Sequence, residues 1–271
     1  MSAPTADGMP MLGLGTWQND SHDQCRESVK TALEMGYRHI DTAQAYGNEA
    51  AVGEGIEASS VDREDIFLAT KVWISNLSRE GVLSSTEESL EKLKTDYVDL
   101  LYVHWPAREY DPEQTLPAFD ELYEDGTIDR IGVSNFEPEH IDEAREILDS
   151  PLFANQVELH PLLQQRELRE YAAENDIELV AYSPLARTDI FSDPTLGQIA
   201  EQRDRSEAQV TLAWLREKGV TAIPKATSEA HIRDNWGSLD LELDEEEIEL
   251  IDSIERRTRQ VHPDFAPAGW E

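Results

Sequence analysis

Polar or ionisable groups stand where seven consecutive apolar runs of this chain give out. Asp41 follows Ile40, and Tyr46 comes five residues later. Lys71 interrupts Ala69-Thr70-Lys71-Val72-Trp73, and His104 closes Tyr102-Val103-His104-Trp105-Pro106. Later runs end in Ser134-Asn135, in Gln156 and Glu158 leading to His160, in Tyr182-Ser183, and in Pro224-Lys225. A buried lysine needs a carboxylate, so Lys71 should pair with Asp41 across adjacent strands. Free tyrosine, with a pKa of about 10, is a poor acid at neutral pH. A neighbouring ammonium favours phenolate and lowers that value. Tyr46 beside Lys71 is therefore expected to give a proton to a developing alkoxide. His104 would hold or polarise the same oxygen. The set suits carbonyl reduction but contains no hydride, which a nicotinamide cofactor must supply. Each residue alone has a plainer reading: Asp41 as a turn cap, Tyr46 as a surface ring, His104 as a satisfied core histidine, Asn135 as a helix cap. Separate accidents explain the joint pattern poorly.

The elements that must position these groups alternate. Strands are expected near residues 12–15, 39–42, 66–72, 97–104, 130–134, 154–158, 179–182 and 220–224. Runs such as Val98-Asp99-Leu100-Leu101-Tyr102-Val103 suit strands covered on both faces. Amphipathic helical patterns lie between them, as in Leu83, Thr86, Leu90 and Leu93. Gly36, Gly126 and Gly219 read as helix ends. Ser206-Glu207-Ala208-Gln209 reads as a capping box and Asn48 as an N-cap. Acids crowd the start of the last helix at Asp244-Glu245-Glu246-Glu247, where the helix dipole favours them. Eight strand signals alternating with helices predict a parallel α/β sheet, and 271 residues suffice for a closed (β/α)8 TIM barrel. A doubly wound sheet should open with a glycine-rich phosphate loop, but Gly13-Leu14-Gly15-Thr16-Trp17 lacks the third glycine. It reads as a tight strand end with room for a neighbour. No linker divides the chain, so one domain over 1–271 is expected, with a short N-terminal extension (1–9) and a C-terminal tail (258–271) over the substrate.

The net charge is −34, from 57 acidic and 23 basic residues. Only six bases are lysines, and the acids spread over nearly every predicted helix. That disfavours a nucleic-acid partner, whose phosphates would be repelled. It suggests adaptation to a salt-rich cytoplasm, where screening quietens self-repulsion. No run resembles a membrane span or signal peptide, so a cytoplasmic monomer acting on a small molecule is expected. Cys25 is the only cysteine, which excludes an intrachain disulfide and any multi-cysteine metal site, and its helical neighbours point to a buried thiol.

Three motifs, Gly36-Tyr37-Arg38-His39-Ile40-Asp41-Thr42-Ala43 with Glu49 and Gly53, Leu101-Tyr102-Val103-His104-Trp105-Pro106, and Ile131-Gly132-Val133-Ser134-Asn135-Phe136, closely resemble the aldo/keto reductase family. The resemblance runs from Gly13 to about Leu250. It implies a catalytic tetrad of Asp41, Tyr46, Lys71 and His104, with Tyr46 as proton donor and NADPH or NADH as cofactor. It also implies that Ser134, Asn135 and Gln156 bond the nicotinamide carboxamide, that Tyr182 stacks on its ring, and that Ser183 and Leu185 adjoin the pyrophosphate. Lys225, Thr227, His231 and Asn235 fall at the adenine end, and Trp17, Trp73 and Trp105 on the walls of the substrate pocket. In the segment Lys225-Ala226-Thr227-Ser228-Glu229-Ala230-His231, alanine replaces the family's usual serine and His231 its arginine. A neutral imidazole does not replace the charged fork of arginine on a 2′-phosphate. Dual use or a shift toward NADH is therefore expected. The short loop 186–194 and short tail resemble prokaryotic-type members acting on small aldehydes, dicarbonyls or keto-sugars.

Other readings remain. A non-catalytic nucleotide-binding subunit on the same fold would not require Tyr46 and Lys71 together. A metal-dependent hydrolase would draw on His104, Asp41, Glu158 and His160, with an ammonium awkwardly among the ligands. A glycosidase would need two free carboxylates, and Lys71 occupies the first.

Overall fold

The structure, a computed structural model, describes residues 2–267 and 270. A short antiparallel hairpin, β1 (Thr5–Ala6) and β2 (Met9–Pro10), precedes everything else. Eight parallel strands follow: β3 (Leu14–Gly15), β4 (His39–Asp41), β5 (Phe67–Val72), β6 (Leu100–Val103), β7 (Ile131–Ser134), β8 (Leu152–Glu158), β9 (Glu178–Tyr182) and β10 (Thr221–Ala222). Each pairs with its neighbour in sequence. Between and after them come α1 (His22–Met35), α2 (Glu49–Glu57), α3 (Arg79–Leu93), α4 (Pro112–Glu124), α5 (Pro138–Ile147), α6 (Arg166–Glu174), α7 (Pro194–Arg203), α8 (Glu207–Glu217), α9 (Glu229–Trp236) and α10 (Glu245–Asp252).

The sheet curls until its ends meet. Gly13 N donates to Ala222 O at 2.9 Å, Ala222 N to Met11 O at 2.9 Å, and Gly15 N to Pro224 O at 3.2 Å. The arrangement is consistent with a (β/α)8 barrel. At Gly15 the two ends come so close that a Cβ would lie 2.5 Å from Ile223 O, so this strand end has the tight approach expected of it.

Strand alternation assigns each residue to a face. In β5, Leu68 and Val72 join the core shared with the helices, whereas Phe67 and Ala69 join a smaller core inside the barrel. Leu100 and Tyr102 of β6, Ala154 of β8 and Val180 of β9 also point inward. Met9 is completely buried in this inner cluster. Residues 5–10 are thus a hairpin with a packed side chain. On β5 and β8 the inner positions change from apolar, Phe67 and Ala154, to polar, Lys71 and Gln156.

Local signals behave as their chemistry requires. Gly36, Gly126 and Gly219 all take positive φ at helix ends. Ser206 and Gln209 form a reciprocal capping box, as do Asp244 and Glu247. Cys25 is fully buried, and burial pushes its thiol up to about 11. Asn48 departs from expectation. It precedes α2, but its side chain caps nothing there. Its amide instead donates to Thr16 O at 2.9 Å and Asn19 O at 3.3 Å, and its Oδ1 accepts from Thr42 Oγ1 at 3.0 Å.

Candidate active site

The C-terminal ends of the strands surround a cavity of about 430 Å³. Asp41 is the last residue of β4, and Lys71 is an inward residue of the neighbouring β5. Both are buried, and Lys71 Nζ lies 2.5 Å from Asp41 Oδ1 and 2.8 Å from Thr42 O. The other carboxylate oxygen of Asp41 accepts from Gln156 Nε2 at 2.8 Å. The pair expected from sequence is therefore present, with a third member across the barrel.

Tyr46 ends a single 3₁₀ turn, Gln44–Tyr46. Gln44 fixes that turn. Its Oε1 accepts from Trp73 N and from Asn76 Nδ2, both at 3.0 Å, and its Nε2 donates to Ser85 O at 3.1 Å. Asn48 holds the other side of the same loop. The Lys71 ammonium stands 5.1 Å from the centre of the Tyr46 ring, and the rings of Tyr46 and His104 meet edge to face at 5.9 Å. All four of Asp41, Tyr46, Lys71 and His104 are thus together, three of them lining the cavity and Lys71 directly behind.

The electrostatics correct one expectation. The Tyr46 phenol is raised well above its ordinary value, first by burial and then by Asp41 and Tyr182. Adjacency to a cation did not suffice, because Asp41 neutralises Lys71 as seen from the phenol while loss of water still disfavours phenolate. Burial also pulls the Lys71 ammonium below its usual range, with Asp41 opposing. His104 is pushed well below the ordinary histidine value, by burial and then by Lys71, so its imidazole is neutral. Its Nδ1 is buried without a hydrogen-bond partner.

Ser134, Asn135, Gln156, Tyr182, Ser183 and Lys225 also line the cavity. They interlock. Ser134 Oγ donates to Gln156 O at 2.7 Å, Asn135 Nδ2 donates to His104 O at 3.1 Å, and Tyr182 OH donates to Asn135 Oδ1 at 2.9 Å. Asn135 takes φ of 63°, a conformation asparagine tolerates better than most residues. Trp17, Trp73 and Trp105 form apolar walls, as expected. Leu185, Thr227, His231 and Asn235 do not line this cavity. Leu185 is half-buried against the core, Asn235 is buried, and His231 is exposed on α9.

Lining residues not singled out from the sequence include Arg187 and, within the tail expected over the substrate, Val261, Pro263 and Phe265. Arg187 follows β9 with φ of 46° and lays its guanidinium 4.6 Å from the Trp17 ring centre. Phe265 packs edge-on against Trp73 and Trp105, at 5.7 and 5.6 Å between centroids. A pattern of positive charge near a strand end was the only signal for Arg187. Residues 261–265 carry no periodicity at all.

The residues present fit a nicotinamide dinucleotide. The lining brings together the Tyr182 side chain, polar groups of Ser134, Asn135 and Gln156, and the cations Arg187 and Lys225, in a chain with a charge of −34. No group of three or more His, Cys, Asp or Glu suited to a metal occurs among the described residues.

Residues 11–256 match the model of the aldo/keto reductase family. The chain is 42% identical to a glyoxal reductase of Bacillus subtilis over 251 residues, 93% of this chain and 91% of that one. Among solved structures it resembles a putative 2,5-diketo-D-gluconic acid reductase B, with a TM-score of 0.91 and 37% identity over 96% of this chain and 93% of that one. It also resembles a protein solved in complex with NADPH, with a TM-score of 0.84 and 36% identity over 90% of this chain and 89% of that one.

Proposed function

The chain belongs to the aldo/keto reductase family and is an NAD(P)H-dependent oxidoreductase, and from that premise we propose how its residues reduce a small aldehyde, dicarbonyl or keto-sugar to an alcohol. Tyr46 is the proton donor. Its raised pKa keeps the phenol protonated until charge develops on the substrate oxygen, so the acid is always loaded. Lys71 spends two of its three N–H groups on Asp41 and Thr42, and its charge 5.1 Å from the ring centre stabilises the phenolate once the proton has left. Asp41 and Gln156 hold that ammonium in place. With Nδ1 of His104 unpartnered, its proton belongs on Nε2, the nitrogen left to meet the substrate oxygen. Ser134, Asn135 and Gln156 would hold the carboxamide and Tyr182 the ring face, with Ser183, Leu185 and Arg187 toward the pyrophosphate. When bound, the reduced nicotinamide supplies the hydride. Trp17, Trp73, Trp105 and Phe265 exclude water from the carbonyl.

The observation that carries this reading is the convergence of the Tyr46 ring, the Lys71–Asp41 pair and a neutral His104 on one apolar cavity. A binding subunit needs no such convergence. Tyr46→Phe should lower the rate on nitrobenzaldehyde by about 10²–10⁴; equal rates in wild type and variant would remove Tyr46 as the acid.

The resemblance to the glyoxal and putative diketogluconate reductases supports small dicarbonyl or keto-sugar substrates. Ala226 is buried and His231 exposed at the start of α9, which supports dual cofactor use or a shift toward NADH. The charge of −34 supports a prokaryotic-type member with a halophile-like surface. We take it to act as a cytoplasmic monomer, one barrel domain over 1–271, away from nucleic acid and membranes.

A further inference from the structure

Glu158 is a fully buried carboxylate that the reaction does not use. It is the last residue of β8, it faces inward, and it does not line the cavity. Its oxygens are engaged on the far side. Oε1 accepts from Gln260 N at 2.6 Å and Oε2 from Val261 N at 2.9 Å, while His160 Nε2 donates to Oε1 at 3.0 Å. One carboxylate therefore grips two consecutive backbone amides of the tail. The gripped residue Val261 itself lines the cavity, and Pro263 and Phe265 follow. Trp270 closes the arrangement by donating Nε1 to Val261 O at 3.1 Å and packing on Trp105. The outer side is tied more loosely, by Gln260 Nε2 to Asp189 Oδ2 at 3.2 Å.

A charged acceptor shared by backbone N–H groups is among the stronger hydrogen-bonding arrangements. Burying a carboxylate is costly unless such bonds compensate it. A neutral polar residue would be cheaper to bury if holding a loop loosely were enough. We propose that Glu158 anchors the substrate-side wall of the pocket, as a positioning residue that sets affinity for the carbonyl substrate through Val261 and Phe265. This rests on the reductase reading above. Glu158 makes no contact with the reacting atoms, so its removal should move KM for the carbonyl far more than kcat, and should leave nicotinamide binding alone.

The test compares wild type, Glu158→Gln, Phe265→Ala and the double variant, with glyoxal at saturating NADPH. NADPH affinity is read separately from tryptophan fluorescence. Glu158→Gln is expected to raise KM about tenfold with kcat and NADPH Kd within about twofold. In the Phe265→Ala background the same change should add less than about twofold, because the wall it positions is already cut away. An unmoved KM, a KM rise of equal size in both backgrounds, or an equal weakening of NADPH would each overturn the proposal. Should Glu158→Gln fail to fold, Val261→Pro removes one amide donor from the opposite side and must show the same split. Failure of the reductase reading looks different: the wild type itself would turn over no aldehyde.

Discussion

Replacing Lys71 by methionine leaves Asp41 almost entirely out of water and short of its main partner. Breaking a buried pair in this way costs about 3–5 kcal/mol, because one charge stays behind uncompensated. Here Gln156 Nε2 still donates to the other carboxylate oxygen at 2.8 Å, which places the expected cost near the lower bound. About 3 kcal/mol corresponds to a fall in Tm of roughly 6–12 °C for a chain of this size. Removing both charges, in Asp41→Asn with Lys71→Met, replaces a pair rather than orphaning half of it, and should return most of that stability. Activity should not return, since nothing would then stabilise the Tyr46 phenolate. The assay is thermal unfolding by circular dichroism alongside kcat on glyoxal for both singles and the double. A Lys71→Met protein melting within about 2 °C of wild type, or a double variant no more stable than the worse single, would refute the reasoning.

Four other outcomes follow from the same residues and charges. Because the Tyr46 phenol is raised and not lowered, carbonyl reduction should show no alkaline limb below about pH 10, and a limb near neutrality would mean that the bound state acidifies it. His39 and His104 are both held below the ordinary histidine value, so the unfolded chain binds protons that the folded one refuses, and stability should decline as pH falls below about 6.5; a melting midpoint that is level from pH 7 to 5.5 would contradict this. Rising KCl should raise Tm by screening a charge of −34, and a level or falling midpoint toward molar salt would remove the halophile reading. His231→Arg should raise kcat/KM with NADPH relative to NADH, and strong NADPH selectivity in the wild type would show His231 to have been misjudged.

What was legible in the chain depended on how sharply each residue broke a local rule. Lys71 and Asp41 stood out because ions interrupt apolar strands, and strand alternation then told which way they face. The eight strands were readable because strands covered on both faces leave near-continuous apolar runs. Asn48 misled because asparagine is a strong N-cap, and nothing local reveals that Thr16 and Asn19 lie within its reach. Arg187 was hidden by a loop with φ of 46° and then 90° at Thr188, conformations that leave no periodic trace. The tail was expected over the substrate, but which of its residues line the pocket was not, because the neighbours of Val261 and Phe265, namely Trp73, Trp105 and Glu158, come far earlier in the chain. The acidity of Tyr46 was misjudged because spacing predicts who stands beside whom and says nothing of how much water remains.

The backbone bonds from Gly13 and Gly15 to Ala222 and Pro224 join segments separated by most of the chain. Contacts of such sequence separation carry the largest loop-closure entropy and tend to form late. Lys71, Asp41 and Tyr46 are all translated early, yet the cavity beside them also needs Ile223, Lys225 and Phe265. A nascent chain still on the ribosome therefore holds its acid and its cation long before it owns a pocket.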